Sequence, residues 1–252
     1  ADSVGATAHS AIATAVFREA ADGDAFLQTV VGQDLGIPVQ VVSQDLEGQI
    51  GFLTALASSQ ALGMDLSAER VICWDSGGGS FQITSQDEGD RLGVWCGPLG
   101  SASTTAAMIS DVQGRSIEEV RSPNPCTIDD CKALADLIRQ RLGAAPVWLT
   151  RKLSIDKGVV VVGIGANACA FGNCAHACAS NTWDAHTLWL RIVELAGLSD
   201  EQVEAAGYPT ARMILPKLVL VHTVMTLAGI QSMTYAPSNG GCAGMHLMSE
   251  LW

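Results

Sequence analysis

Basic residues are scarce in this sequence. Lysine and arginine together number 14, against 26 aspartates and glutamates, for a net charge of −12. An acidic surface repels DNA, RNA and long polyanions unless a local basic funnel overrides it. The few cations are spread along the chain, so no nucleic acid is expected as a partner. No run of about 18 apolar residues free of charge occurs, which argues against a membrane span. No charged-then-apolar leader follows Ala1. A Walker A sequence with its lysine is also missing.

What the chain does have is apolar bulk. It is 252 residues long and 48% hydrophobic, enough for one large domain or two small ones with a substantial core. Eight cysteines lie scattered among alanines. A chain of this size needs no disulfide stapling, so reduced thiols and a cytoplasmic location are expected. Cys169, Cys174 and Cys178 with His176 would share a helical face at spacings of three or four, as metal ligands or as small buried hydrophobes. The second reading is preferred, because no fourth ligand is within sequence reach.

Hydrophobic spacing predicts strand–turn–helix units alternating with β-hairpins. Residues 11–18 read as a strand entering a loop, 23–36 as a helix, and 37–43 as a strand. A helix over 44–60 places Leu46, Ile50, Leu53, Leu56 and Ala57 on its apolar face. Strands are expected at 69–75, 79–85 and 91–96, antiparallel to one another, then a small-residue helix over 101–111. Thr127 with Asp130 reads as a helix N-cap. A buried strand, a glycine turn and a helix follow from 157. Helices are expected over 182–196, 199–206 and 209–229, then a strand, a loop and a closing helix. The fold class is α/β.

Two glycine turns carry the chemistry. Strand VICWD runs into Ser76, Gly77, Gly78, Gly79 and Ser80. Bare backbone amides there can wrap a phosphate, Asp75 can hold a Mg²⁺ shared with it, and Ser80 can add a hydroxyl. The plain alternative is a hairpin whose glycines permit a sharp turn. The second turn, Gly163 and Gly165 after four valines, opens a helix whose N-terminus suits an anion. Together the two turns suit a phosphorylated substrate held between them.

At this point the sequence resembles the Ppx/GppA family of exopolyphosphatases and guanosine pentaphosphate phosphatases. Asp75–Ile83 reads DSGGGSFQI beside the family hallmark DIGGGSTEL. ATAVFREAADGDAFL and GIPVQVVSQDLEGQIGFL are similar to two upstream family motifs, and VGIGANA to the second glycine loop. APSNGGCAGMHL matches the closing motif loosely. The resemblance implies an actin-like, two-lobed α/β fold. Its lobes would be 1–66 and 67–236, with 237–252 as a helix returning to the first. It implies Mg²⁺-assisted release of a terminal phosphate from polyphosphate or guanosine pentaphosphate.

By the same resemblance, Glu47 activates the water and Arg18 clamps phosphate. Gly77, Gly78, Gly79, Ser80, Gly163 and Gly165 bind phosphate, and Asp75 with Gln82 holds the metal. Each has a plainer alternative: Glu47 as a solvated helix residue, and Arg18 as a partner of Glu19 or Asp22. The expected partners are a phosphorylated small molecule or short polyphosphate, with a homodimer left open and no membrane.

The pattern departs from the family in three places. The opening loop, D-x-G-S-N-S in the family, is missing, which implies an incomplete first lobe in a truncated chain, an incomplete gene or a degenerate relative. The hallmark glutamate is Gln82, which lowers the expected metal affinity. The family's E-E-A is Leu46-Glu47-Gly48. A non-catalytic phosphate- or nucleotide-binding regulator is therefore the alternative function.

Overall fold

The computed structural model describes residues 5–86, 91–155 and 158–251. Trp252, the end of the expected closing helix, lies outside them. The chain starts with β1 (Ala11–Ala13), α1 (Ala15–Glu19), α2 (Gly23–Phe26) and β2 (Val39–Val41), then the long helix α3 (Gln44–Ala61). Next come β3 (Val71–Ser76), β4 (Phe81–Gln86), β5 (Leu92–Gly97) and α4 (Ser101–Ala107). Helices α5 (Ile128–Leu142) and α6 (Val147–Ile155) precede β6 (Val160–Gly165), α7 (Ala170–Cys178) and β7 (Thr182–Asp184). The chain closes with α8 (Ala185–Leu195), α9 (Asp200–Ala205), α10 (Ala211–Ala228), β8 (Ser232–Pro237) and α11 (Cys242–Leu247).

Six strands form one mixed sheet in the order β5-β4-β3-β6-β8-β7, and β1 pairs parallel with β2 in a separate two-stranded sheet. The three strands expected from 69 to 96 are the antiparallel β3–β4–β5 edge. Strands β3, β6 and β8 run parallel at the centre. Such strands are buried on both faces and read as continuous apolar runs, which is why VVVVGIG was legible.

Each face of the sheet has its own cover. Ile72, Trp74, Phe81 and Ile83 point into the main core with residues of α5, α7, α8 and α10. Cys73, Val162, Ile164 and Ala236 point the other way, onto Phe52 and Ala55 of α3. Helix α10 is long and apolar enough to cross a membrane by length and composition, yet most of it is buried inside this chain. It serves as the central core helix.

Four expectations need correction. Residues 15–19 are helical rather than a loop. Residues 182–184 form an edge strand antiparallel to β8 before α8 begins. Helix α6 was missed, because its sequence VWLTRKLSI has no clean apolar stripe. Helix α3 buries Gly48, Gly51, Phe52 and Ala55 rather than Leu53, Leu56 and Ala57. The Thr127 cap is as expected: Asp130 N–H donates to Thr127 Oγ1 at 3.0 Å, and Thr127 N–H to the Asp130 carboxylate at 2.8 Å.

Glycine explains the depth at which α3 sits. A Cβ on Gly48 would lie 2.7 Å from Thr84 Oγ1 and 2.8 Å from Val94, and one on Gly51 would touch Asp75 and Cys73. The helix backbone therefore rests almost directly on β3 and β4. On its other side, the Gly244 amide of α11 donates to Thr54 Oγ1 at 2.8 Å. A Cβ on Gly244 would collide with the Ile50 carbonyl. Gly244→Ala should destabilise the fold by about 1–3 kcal/mol, the usual range for overpacking. Chemical denaturation of the two chains would measure it.

Candidate active site

The site forms where the first turn of α3 meets the end of β3. Ser43 caps α3, its Oγ accepting the Leu46 amide at 3.2 Å. The capped turn projects Glu47 toward the sheet. Arg18, from α1, donates one guanidinium nitrogen to the Val42 carbonyl at 2.7 Å and the other to the Glu47 carboxylate at 2.8 Å. Both side chains are largely buried, at 19% and 14% exposure. Arg18 thus pairs with neither Glu19 nor Asp22. Burial raises the Glu47 pKa, and Arg18 only partly opposes the rise.

Gln82 completes this corner. It faces Asp75 across the β3–β4 ladder and Cys96 across β4–β5. Its amide donates to Glu47 at 3.4 Å and to Ser80 Oγ at 3.3 Å. The structure therefore places the Gln82 amide nitrogen as a donor to the Glu47 carboxylate and leaves its carbonyl oxygen as the atom through which it could coordinate a metal. An uncharged amide can donate to a carboxylate where a glutamate would repel it.

Asp75 has an acid pKa raised to about 7, chiefly by burial and then by the Glu47 charge. A buried carboxylate pushed further toward protonation by a neighbouring carboxylate's charge fits a hard divalent cation that would relieve it. Among the described residues no three His, Cys, Asp or Glu side chains converge as metal ligands. Mg²⁺ commonly takes one or two protein carboxylates and fills its shell with water and substrate oxygens, so this donor set fits it.

The sign of the Asp75 shift gives a pH test. Its ordinary pKa is 3.8. Between about pH 4 and about 7 the folded chain keeps a proton that the unfolded chain has lost, so stability falls as pH rises through that window. Asp75→Asn removes this loss. Its melting temperature should gain on the parent's as pH rises from 5 to 8. Any Mg²⁺-induced rise in melting temperature at pH 8 should shrink in the variant. Parallel melting curves with and without Mg²⁺ check both.

The first glycine turn is a hairpin tip with unequal sides. Gly77 N–H donates to Ser80 C=O at 2.9 Å, closing the turn. The Gly77 and Gly78 carbonyls accept from the first amides of α4: Ser101 at 2.9 Å, Ala102 at 2.8 Å and Ser103 at 3.2 Å. The amides of Gly78, Gly79 and Ser80 have no acceptor among the described residues. None of Gly77, Gly78 and Gly79 has a positive φ, so the turn's backbone does not itself require glycine. A Cβ on Gly78 meets no protein atom within 4 Å.

Sequence reasoning missed Gly100 and Ser103. A Cβ on Gly100 would lie 2.6 Å from Gly77 O, and Ser103 Oγ accepts the Gly100 amide at 2.7 Å. They let α4 abut the hairpin and hold its carbonyls. The signal in the sequence was LGSAS, a glycine followed by small hydroxyl residues directly after a strand.

The second glycine turn is only half as expected. Gly163 lies inside β6, buried, and a Cβ there would meet Phe171 at 2.7 Å and Met233 at 2.8 Å. It is bare so that the Phe171 ring can pack, which corrects its assignment to phosphate. Gly165 does sit at the turn, with φ 141°. Its carbonyl accepts from Tyr235 Oη at 2.9 Å and Ser238 N–H at 3.0 Å. Cys169 caps α7 through its sulfur, Cys174 is buried and Cys178 half-buried. All eight cysteines are free.

Residues 1–124 match the family model of the Ppx/GppA phosphatases. No curated protein matches the sequence. Among solved structures, the Aquifex aeolicus Ppx/GppA family member is 15% identical at a TM-score of 0.69, over 99% of this chain and 77% of that one. An exopolyphosphatase from Cytophaga hutchinsonii is 13% identical at a TM-score of 0.71, over 98% and 76%. At these identities the likeness is one of fold: the chain has the actin-like α/β fold of these proteins.

Proposed function

From the premise that the first half of this chain carries the Ppx/GppA phosphatase pattern on that family's fold, we propose that it hydrolyses a terminal phosphoanhydride. Polyphosphate or guanosine pentaphosphate is the substrate. The observation that carries the reading is the buried Arg18–Glu47 pair beside a hairpin tip with three unclaimed amides.

The chemistry follows from these groups. Phosphoryl transfer needs positioning and charge neutralisation more than covalent help from the protein. The amides of Gly78, Gly79 and Ser80 take phosphate oxygens. Arg18 has spent one donor on Val42 and one on Glu47. Its remaining N–H groups are available to the phosphate. Glu47, its pKa raised by burial, accepts a proton from the attacking water better than an exposed glutamate would. Mg²⁺, held by Asp75, would supply charge neutralisation on the phosphate oxygens. The site is expected to act in the cytoplasm on a phosphorylated small molecule or short polyphosphate.

A second reading has its own observation. Glu47 is already engaged by Arg18 and Gln82, and Gln82 brings no charge to the site. A chain that binds the phosphorylated ligand without turning it over would keep this arrangement. Calorimetry with guanosine pentaphosphate, run beside a phosphate-release assay with Mg²⁺, tests the two. Release supports hydrolysis, and tight binding without release supports the regulator.

A further inference from the structure

Lys217 is a buried lysine on α10, 4% exposed, with no carboxylate partner among the described residues. It donates to the Ala168 carbonyl at 2.8 Å and to Asn173 Oδ1 at 2.9 Å. An ammonium donates and does not accept, so it fixes which end of the Asn173 amide faces it. The oxygen is turned to Lys217 and the nitrogen is turned away. Asn173 is itself only 5% exposed. Its nitrogen has no acceptor among the described residues, although buried polar groups are nearly always paired.

That amide lines a cavity of about 690 Å³. One wall is α7, and the other is the turn 207–209 between α9 and α10. His176 and Tyr208 meet edge to face across these walls, their ring centroids 4.6 Å apart, and Tyr235 adds a third ring. No Asp, Glu, Lys or Arg lines the cavity. Aromatic rings with a few neutral polar groups suit a flat, uncharged ligand of nucleoside size. The rim lies at Asn167 and Ala168, in the turn that leaves β6. Strand β6 runs parallel to β3, with Ile164 opposite Asp75. Open α/β sheets bind ligands outside the carboxyl ends of their strands. The cavity obeys that rule and uses none of the residues of the candidate phosphate site.

We propose that this cavity binds 6-oxopurine nucleosides, with Asn173 reading the base. Such a site needs no phosphate on its ligand. A guanine-type ring presents two adjacent acceptors, O6 and N7, where adenine pairs N7 with an N6–H₂ donor. Asparagine reads adenine through its oxygen and nitrogen together, but Lys217 has already taken the oxygen. What remains is a pair of N–H groups, which matches O6 and N7 and opposes the adenine amino group. The Lys217 charge polarises the amide and strengthens these donors. Lys217 thus sets the preference through Asn173, as a positioning residue.

The test is isothermal titration of guanosine, inosine and adenosine into the full chain, with Asn173→Asp and Lys217→Met beside the parent. None of the three probes carries a phosphate, so the outcome is independent of hydrolysis at the hairpin. The parent should bind guanosine and inosine about tenfold or more tightly than adenosine, the worth of one hydrogen bond to a buried polar group. Asn173→Asp keeps an oxygen for Lys217 and puts an acceptor where the N–H groups were. Its guanosine affinity should fall about tenfold or more, while adenosine affinity holds or rises. Lys217→Met frees the amide to turn over, so the ratio of the two affinities should shrink toward one. Melting curves confirm that each variant is folded. A parent chain that binds guanosine and adenosine alike, or neither, overturns the proposal. So does a preference that survives either variant, or an equal loss of all three nucleosides in Asn173→Asp.

Discussion

Glu47→Gln should lower the rate of phosphate release by about 100-fold or more, the usual effect of removing a general base, while the protein stays folded. The substitution keeps the shape of the side chain and a carbonyl oxygen for Arg18. What disappears is the group that accepts the proton of water. Stability is expected to survive because burial outweighs Arg18 in setting the Glu47 pKa. The ionised glutamate is thus a net strain on the folded state above its unfolded pKa, and a neutral side chain removes that strain. The parent's activity should rise with pH on a limb shifted upward from that of an exposed glutamate, and the Glu47 part of that rise should be lost in the variant. Steady-state phosphate release from pH 5 to 8 measures both. A variant that retains most of the parent's rate would remove Glu47 from the mechanism.

Gly78→Ala should weaken phosphate binding on the order of tenfold, equivalent to one charge-assisted hydrogen bond, without lowering the melting temperature. Several geometric facts lead there. Gly78 has no positive φ, so alanine fits its backbone. No protein atom lies within 4 Å of the new Cβ. The Gly78 carbonyl is already held by Ala102 and Ser103. Alanine at a compatible glycine position stabilises by roughly 0.4–1 kcal/mol through the unfolded chain. A methyl there therefore costs the fold nothing and stands in the approach to the free amides. Gly100→Ala is the contrasting control: its Cβ would strike Gly77 and Gly78, so stability and binding should fall together. Isothermal titration with tripolyphosphate, paired with melting curves, separates the two cases. Unaltered affinity in Gly78→Ala would leave the glycines serving only the turn.

Much of this architecture was legible because its signals are local. The hairpin tip announced itself by three glycines between apolar strands, and the α5 start by Thr127 with Asp130. Arg18 and Glu47 were legible only through the likeness to family motifs, and Asp75 from its place before the glycines; the fold joins Arg18 to Glu47 and sets the Glu47 charge beside Asp75. Less visible was anything that depends on close approach between distant segments. Helix α3 was read by its leucines, but its tight faces are made by Gly48 and Gly51 on the sheet and by Thr54 under Gly244. Gly163 looked like a loop glycine, and only the Phe171 ring packed over it shows why it is bare. The role of Gln82 could not be read either, since donation to Glu47 needs two strands and a helix brought together.

The most direct measurement is release of inorganic phosphate from tripolyphosphate and from guanosine pentaphosphate by the purified chain, with Mg²⁺ and after chelation. The site built by Arg18, Glu47, Asp75 and the Gly78–Ser80 amides predicts release of the terminal phosphate with Mg²⁺ present and its loss on chelation. Saturable binding of either compound with no phosphate released under any Mg²⁺ concentration would contradict it, and would leave a phosphate-binding regulator in its place.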